Sequence, residues 1–263
     1  MFFMQGIRRI KTAWNIIKDG FADLLFPRRC PVCGRIVEPA GQWICPGCLP
    51  LLSPVRQPVC QKCGKEVVGE ETEYCPDCSR HKRSFSSGMA LLNYNEAARR
   101  SMAAIKYKNK REYLDFYAMA MARRFRKRVE AWKPDVLVPV PIHSSRRRHR
   151  GYNQAEELAD RLGKQWGIPV DTRLLIRGKK TAPQRDLTPG ERLKNLREAF
   201  LLHPSRRGHG GNSGQGAGNI PGCVVLIDDI YTTGSTIEVC SQVMRAAGVR
   251  EIHFLSVCIG GGR

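Results

Sequence analysis

Val224-Val225-Leu226-Ile227-Asp228-Asp229-Ile230-Tyr231-Thr232-Thr233-Gly234-Ser235-Thr236 is the stretch whose reading decides the fold. Its four leading apolar residues read as a strand buried on both faces, the pattern of a parallel sheet. Two carboxylates, Asp228 and Asp229, stand where that strand should end. A short turn with several hydroxyls and one glycine follows, and a helix begins near Ser235 or Thr236. Acids are thus expected at the carboxyl edge of a sheet. Backbone N–H groups and the hydroxyls of Thr232, Thr233, Ser235 and Thr236 gather around a helix N-terminus, where the dipole and unpaired amides favour a phosphate. Paired acids would repel that phosphate, so they must serve something else, either the hydroxyls of an attached sugar or a bound Mg²⁺. The bland alternative is an ordinary strand–turn–helix of some other α/β protein. The acidic strand of a P-loop ATPase is excluded, because Gly-x-x-x-x-Gly-Lys-Ser/Thr is missing upstream. The nearest fragment, Gly178-Lys179-Lys180-Thr181, has the wrong spacing.

Charge narrows the partners. The 263 residues carry a formal net charge of +20, which points to polyanions such as a phosphorylated sugar or nucleic acid. Residues 1–29 hold six basic and two acidic groups, and residues 30–78 hold four basic and six acidic groups. The remainder, 79–263, therefore carries +18. Basic character belongs to the large C-terminal part, whose length suits one medium α/β domain.

Eight of the eleven cysteines fall in Cys-x-x-Cys pairs. Cys30-Pro-Val-Cys33-Gly34 is followed after eleven residues by Cys45-Pro-Gly-Cys48. Cys60-Gln-Lys-Cys63-Gly64 is followed, again after eleven, by Cys75-Pro-Asp-Cys78. Such a repeat predicts two consecutive zinc ribbons, each holding a structural Zn²⁺ in four thiolates that supplies much of its folding energy. Redox-active pairs and an iron–sulfur site are the alternatives, and ligand pairing across the units stays open. The module is acidic, so protein docking or a structural role is favoured over binding to a phosphate backbone. With no secretory signal ahead of these thiols, a reducing cytoplasm is the expected compartment.

Phe3, Ile7, Ile10, Trp14, Ile17, Phe21 and Leu24 form one helical stripe, expected to bury against the protein itself or a second copy. A peripheral membrane contact is the alternative. Residues 79–87 read as a polar, basic linker. Strands are predicted over 88–94, 135–141 and 251–258, and helices over 95–106, 112–128 and 155–166. Lys106 stands at a helix C-terminus. Arg146, Arg147, Arg148 and Arg150 lie in a basic loop, 143–154, after a strand ended by prolines, where they would form a pyrophosphate or phosphodiester clamp unless they are merely solvated. Residues 203–222, rich in glycine, read as a disordered insertion. Cys223, Cys240 and Cys258 read as buried, inert thiols.

The opening stretch resembles the phosphoribosyl-pyrophosphate (PRPP) signature of type I phosphoribosyltransferases: four apolar, two acidic, then a small hydroxyl-rich loop. Leu24-Leu-Phe-Pro-Arg-Arg-Cys30, Val138-Pro-Val-Pro141, Arg150-Gly-Tyr-Asn-Gln154, Gln184-Arg-Asp-Leu187, Glu191-Arg192, Asn195-Leu196 and Ala199-Phe200 follow the order of the ComF/GntX family. The resemblance implies an α/β, type I phosphoribosyltransferase-like fold, a mainly parallel sheet flanked by helices, behind a double zinc ribbon. Its expected organisation is an amphipathic helix over 1–29, ribbons over 30–82 and the transferase-like domain over 83–263. It further implies that Asp228 and Asp229 bind ribose hydroxyls and that Thr232, Thr233, Gly234, Ser235 and Thr236 hold the 5′-phosphate. Mg²⁺ would accompany PRPP, with Lys106 and the arginines near the pyrophosphate. The 6-oxopurine salvage enzymes of this fold carry a catalytic Asp where this chain has Thr232, so purine salvage is disfavoured. Two readings remain: a pentosyl transferase using PRPP, or a non-catalytic adaptor that binds a phosphosugar or single-stranded DNA. Both sit within DNA uptake, competence or the use of extracellular DNA, with competence proteins as partners.

Overall fold

A computed structural model describes residues 27–39, 41–178, 199–204 and 220–260. The stripe over 3–24, the motifs between 184 and 196, and most of the glycine-rich insertion lie outside the described residues. The chain divides into two compact units, residues 1–52 and 53–263.

The first unit contains the first ribbon. Cys30 N–H bonds to the Arg35 carbonyl at 2.8 Å and Gly34 N–H to the Cys30 carbonyl at 2.9 Å, closing a knuckle with Gly34 at φ 74°. A 3₁₀ turn over Pro46–Leu51 carries the second half of the cysteine set, with Pro46 in the first position, where its missing N–H costs nothing. The second unit opens with the same knuckle. Cys60 N–H bonds to the Lys65 carbonyl at 2.7 Å, Gly64 N–H to the Cys60 carbonyl at 2.9 Å, and Gly64 has φ 76°. A one-turn helix, α1 (Pro76–Arg80), completes it.

The sheet of the second unit has four parallel strands in the order β1 (Ser87–Asn93), β6 (Glu251–Ile259), β5 (Cys223–Tyr231), β2 (Val136–Pro139). Val224 to Ile227 are fully buried, as an apolar run in the middle of a doubly covered sheet requires. Helices α2 (Glu96–Tyr107), α3 (Tyr113–Trp132), α4 (Ser144–Arg150), α5 (Gln154–Trp166) and α6 (Ser235–Ala246) connect and flank it. Two of these helices are capped by asparagine: Asn95 accepts from Ala98 N–H at 3.0 Å, and Asn153 from Ala155 N–H at 3.1 Å. A small antiparallel pair, β3 (Leu175–Arg177) with β4 (Phe200–Leu202), stands apart from the main sheet. Among the described residues no helix is long and apolar enough to cross a membrane.

Two features differ from the sequence reading. The acids do not end β5: the strand runs on to Tyr231, paired with β6 as far as Tyr231↔Ile259. What ends is β2, whose last pair is Pro139↔Ile227 and whose prolines at 139 and 141 cannot donate to a ladder. Beyond Ile227, β5 loses its neighbour on that side, and the first two residues so uncovered are Asp228 and Asp229. The sheet therefore opens a cleft at the acid pair. The basic segment after β2 is not a loop. Residues 144–150 form a helix, with His143 accepting from Ser145 N–H at 3.1 Å and Gly151 closing it at φ 81°.

Candidate functional site

A cleft of about 480 Å³ lies at the carboxyl end of β5 and β2. Its floor is Asp228 and Asp229; Lys106 and Tyr107 come from the end of α2, Arg146, His149 and Arg150 from α4, Gln154 from α5, Arg177 from β3 and Thr236 from α6. Five elements besides β5 thus converge on one volume. Spacing explains which arginines enter: positions 146, 149 and 150 share one helix face, being three and four apart. Arg147 turns to Glu156, 2.9 Å away, and Arg148 stays exposed; neither lines the cleft.

Asp229 is buried and doubly held, by an ion pair with Lys106 Nζ and by Gln154 Nε2, which donates to its Oδ1 at 3.2 Å. Burial alone would raise the Asp229 carboxyl, but the Lys106 ammonium and the Gln154 amide outweigh it and hold the group below its usual range. Lys106 is raised in return: desolvation pulls it down, but the charge and hydrogen bond of Asp229, with Asp228 behind them, together outweigh it. Asp228 behaves in the opposite way. Burial, and then the neighbouring Asp229 charge, push it well above an ordinary carboxylate. Two adjacent acids therefore sit in different protonation regimes. Asp229 is the acid held low, and Asp228 the acid that a bound cation would bring down.

The Arg150-Gly-Tyr-Asn-Gln154 block assembles this arrangement residue by residue. Arg150 reaches the cleft and donates to Gln154 Oε1, and Gly151 supplies the left-handed turn. Tyr152 is buried and donates its hydroxyl to the Ile105 carbonyl, fixing the turn of α2 that presents Lys106. Asn153 caps α5 and donates to the Val140 carbonyl at 3.0 Å. Gln154 closes the chain of contacts on Asp229.

Of the hydroxyl loop, Thr236 lines the cleft, Thr232 and Thr233 are exposed, and Ser235 is half-buried at the start of α6. Thr233 Oγ1 and Ser235 Oγ share a hydrogen bond of 2.9 Å. Gly234 has φ 77°, and a Cβ there would stand 2.3 Å from Tyr231 Oη, so only glycine fits without displacement. Beneath the loop, Tyr231 stacks on Phe254 at 4.7 Å and meets Phe85 edge-on at 6.5 Å. Burial, with the nearby Cys63, Cys78 and Cys75 as a further upward influence, pushes its phenol far up. Residues 79–87 are more than a linker: they tie this loop to the second ribbon. Phe85 is fully buried, Arg83 donates to the Thr233 carbonyl at 3.1 Å, and Ser84 donates to the buried Glu238 through N–H (2.9 Å) and hydroxyl (2.7 Å).

Arg177 escapes a reading of the sequence. It heads the basic, glycine- and proline-punctuated segment 177–187, which reads as a lid or a surface crossover, and nothing in that segment marks this one residue, the last of a three-residue strand, for the cleft. Its Nε is buried without a hydrogen-bond partner, and burial together with Arg146 lowers its pKa. Two guanidiniums set this close in one cleft are reconciled by an anion.

The cysteines resolve into two sets, 30/33/45/48 and 60/63/75/78, each with its sulfurs within 4.8 Å of one another. Tetrahedral Zn²⁺ with Zn–S of about 2.3 Å needs S···S separations of about 3.8 Å. Cys33–Cys45 at 3.9 Å and Cys63–Cys75 at 3.5 Å fit it. Both are structural zinc sites, paired within each ribbon.

Fold and site together define an α/β protein with a parallel sheet, an acid-floored basic cleft and a double zinc ribbon. The family profile of the Double zinc ribbon domain matches residues 21–79. The chain is 30% identical over 201 residues to Competence protein F of Haemophilus influenzae, covering 73% of this chain and 80% of that one. It therefore belongs to the ComF family. It is also 31% identical over 126 residues to DNA utilization protein YhgH of Salmonella typhi, a match spanning 48% of this chain and about half, 49%, of that relative. A purine phosphoribosyltransferase from Pyrococcus horikoshii overlaps 56% of this chain and 73% of its own at 19% identity and a TM-score of 0.31, too loose a likeness to carry an argument.

Proposed function

We propose that the cleft binds PRPP or a closely related phosphosugar together with Mg²⁺, and that this binding serves DNA uptake or the use of DNA, as the relatives' names suggest. One observation carries the reading: an acid pair on the floor of a cleft whose other wall holds Arg146, Arg150 and Arg177. A ligand with hydroxyls flanked by phosphates satisfies both walls at once. Asp228 and Asp229 would receive ribose hydroxyls, the turn from Thr232 to Thr236 the 5′-phosphate, and the guanidiniums the pyrophosphate. Mg²⁺, when bound, supplies positive charge between pyrophosphate and ribose oxygens. Burial and the Asp229 charge raise the Asp228 carboxyl, and a bound cation would lower it again. If the protein turns over, departure of pyrophosphate is favoured by the preorganised arginines. Thr232 in place of an acid disfavours purine bases as acceptors. The zinc ribbons and the unpaired thiols suit a reducing, cytoplasmic setting.

A second reading has its own observation. Arg123, Arg124, Arg126, Lys127 and Arg128 all lie exposed on α3, a cationic band that one small ligand does not need. An adaptor that holds single-stranded DNA there would use the cleft for binding without chemistry.

Thermal unfolding with and without Mg²⁺–PRPP tests the first reading. A ligand at 100 times its Kd adds about 2.7 kcal/mol, which raises Tm by roughly 5–10 °C for a domain of this size. We expect this for wild type and not for Asp228→Asn or Asp229→Asn; no shift in wild type would remove the proposal. Pyrophosphate release with a panel of nucleobases and amines then separates transferase from binder. A salt-dependent DNA mobility shift lost on neutralising the α3 band, but kept in Asp229→Asn, would favour the adaptor.

A further inference from the structure

The opposite edge of the main sheet carries a second cluster that the cleft does not use. Cys223 opens β5 and Glu251 opens β6, paired directly across the parallel ladder. His253, two residues further on, lies on the same face as Glu251. One ligand atom from each, thiol sulfur, carboxylate oxygen and imidazole nitrogen, lies within 4.8 Å of the other two. The sequence alone makes Cys223 an inert buried thiol; in the fold it is half-buried and faces this cluster, unlike Cys240 and Cys258, which are fully buried.

His253 is the telling member. It is 5% exposed, its Nδ1 lies 2.9 Å from Ser87 Oγ, and its ring lies flat on Trp132, centroids 4.1 Å apart at 8°. Its Nε2 is buried with no hydrogen-bond partner, the Glu251 carboxylate standing 3.5 Å off. In the tautomer that donates Nδ1–H to Ser87, Nε2 keeps its lone pair, with a thiol and a carboxylate within 4.8 Å of it. A ring oriented through one nitrogen by a hydroxyl, with the other left bare, is how metal-ligating histidines are held. A structural histidine would account for the Trp132 stack and for an Nε2 facing Glu251, but not for the Cys223 thiol converging on the same point.

We propose that Cys223, Glu251 and His253 form a third metal site, selective for Zn²⁺ or a divalent ion of similar softness, with water as the fourth ligand. A thiolate–imidazole–carboxylate set favours zinc over Mg²⁺ or Ca²⁺, which take oxygen ligands. Binding deprotonates Cys223, whose thiol otherwise donates to the Trp132 carbonyl at 3.3 Å, and releases that proton to solvent. Cys223 lies five residues before Asp228 along β5, about 16 Å at 3.3 Å per residue. The site therefore joins β5, β6 and, through Ser87 and Trp132, β1 and α3, at the edge away from the cleft.

Zinc stoichiometry of the full chain, equilibrated with Zn²⁺ and freed of loose ion, tests it. Three ions per chain are expected in wild type, and two in Cys223→Ser and His253→Gln with both Cys₄ sites still filled. Under graded chelator competition the third ion should leave first, being held by three protein ligands rather than four. Glu251 is exposed, so Glu251→Gln leaves the core untouched and reads the site even where the other variants fold poorly; it should weaken the third ion about tenfold or more. Two ions in wild type, three retained in both ligand variants, or an unchanged third affinity in Glu251→Gln would each overturn the proposal.

Discussion

The two zinc ribbons share a spacing, a glycine knuckle and a set of backbone bonds, yet they are used differently. In the first, Cys33 is exposed and Cys45 half-buried, and Ile36, Leu49 and Leu51 stand 47%, 52% and 54% exposed within a unit of its own. In the second, Cys60, Cys63 and Cys75 are buried in the same apolar cluster as Phe85, Tyr231 and Phe254. Lys65 is buried beside them and paired with Asp77 at 2.7 Å. A strand-like entry anchors this ribbon to the sheet edge: Val55 N–H bonds to the Leu91 carbonyl at 3.1 Å and Asn93 N–H to the Ser53 carbonyl at 2.7 Å. Repetition of a metal knuckle therefore does not imply repetition of its role. One copy is a module, and the other is the floor beneath the hydroxyl loop.

The largest expected effect breaks or upholds that difference directly. Cys63→Ser removes a buried thiolate from the domain core, so the domain should lose its second zinc and about 10 °C or more of Tm. Cys33→Ser should leave that transition within about 2 °C, since among the described residues the core cluster that holds Cys60, Cys63 and Cys75 includes none of the first ribbon's cysteines. Equal losses from both variants would erase the distinction. Next comes the contact between floor and loop. Gly234→Ala must place a Cβ against Tyr231 Oη in a left-handed backbone, a strain of about 1–3 kcal/mol, and should weaken Mg²⁺–PRPP binding tenfold or more while both ribbons keep their zinc.

The acid pair should respond with opposite signs. The folded pKa of Asp228 is raised, so its contribution to stability is present below the ordinary carboxylate range and is lost as pH rises through the raised value. Asp228→Asn should therefore stabilise the free protein at pH 7 by about 2–4 °C, and the gain should vanish near pH 4. The contribution of Asp229, held low by Lys106, is present above the ordinary carboxylate range and fades as pH falls through its depressed value, so Asp229→Asn should lower Tm at pH 7. Differential scanning calorimetry across pH checks both. Smallest of all, Arg147→Ala should change Mg²⁺–PRPP affinity less than about twofold, against five- to tenfold for Arg146→Ala, because only the latter enters the cleft.

Much of this was legible in the sequence, and the exceptions have causes. The run Val224–Ile227, the paired Cys-x-x-Cys spacing and the helices read over 95–106 and 155–166 follow local rules, and the fold obeys them. The basic segment 143–154 misleads because a strand ended by prolines before it and Gly151 within it read as a loop, not an ordered helix; once helical, the spacing alone sorts Arg146 and Arg150 from Arg147 and Arg148. The fate of 79–87 is hidden for another reason. Phe85 is one apolar residue among polar ones, and its burial depends on partners 146 and 169 residues away, Tyr231 and Phe254. Arg177 and His253 likewise depend on strand order, which no window of sequence records.

Isothermal titration of Mg²⁺–PRPP into the full chain tests the central claim most directly, with Asp228→Asn and Cys33→Ser alongside. One saturable site per chain is expected in wild type and Cys33→Ser, and none in Asp228→Asn even though that variant is the more stable. No binding by wild type, or undiminished binding by Asp228→Asn, would contradict it.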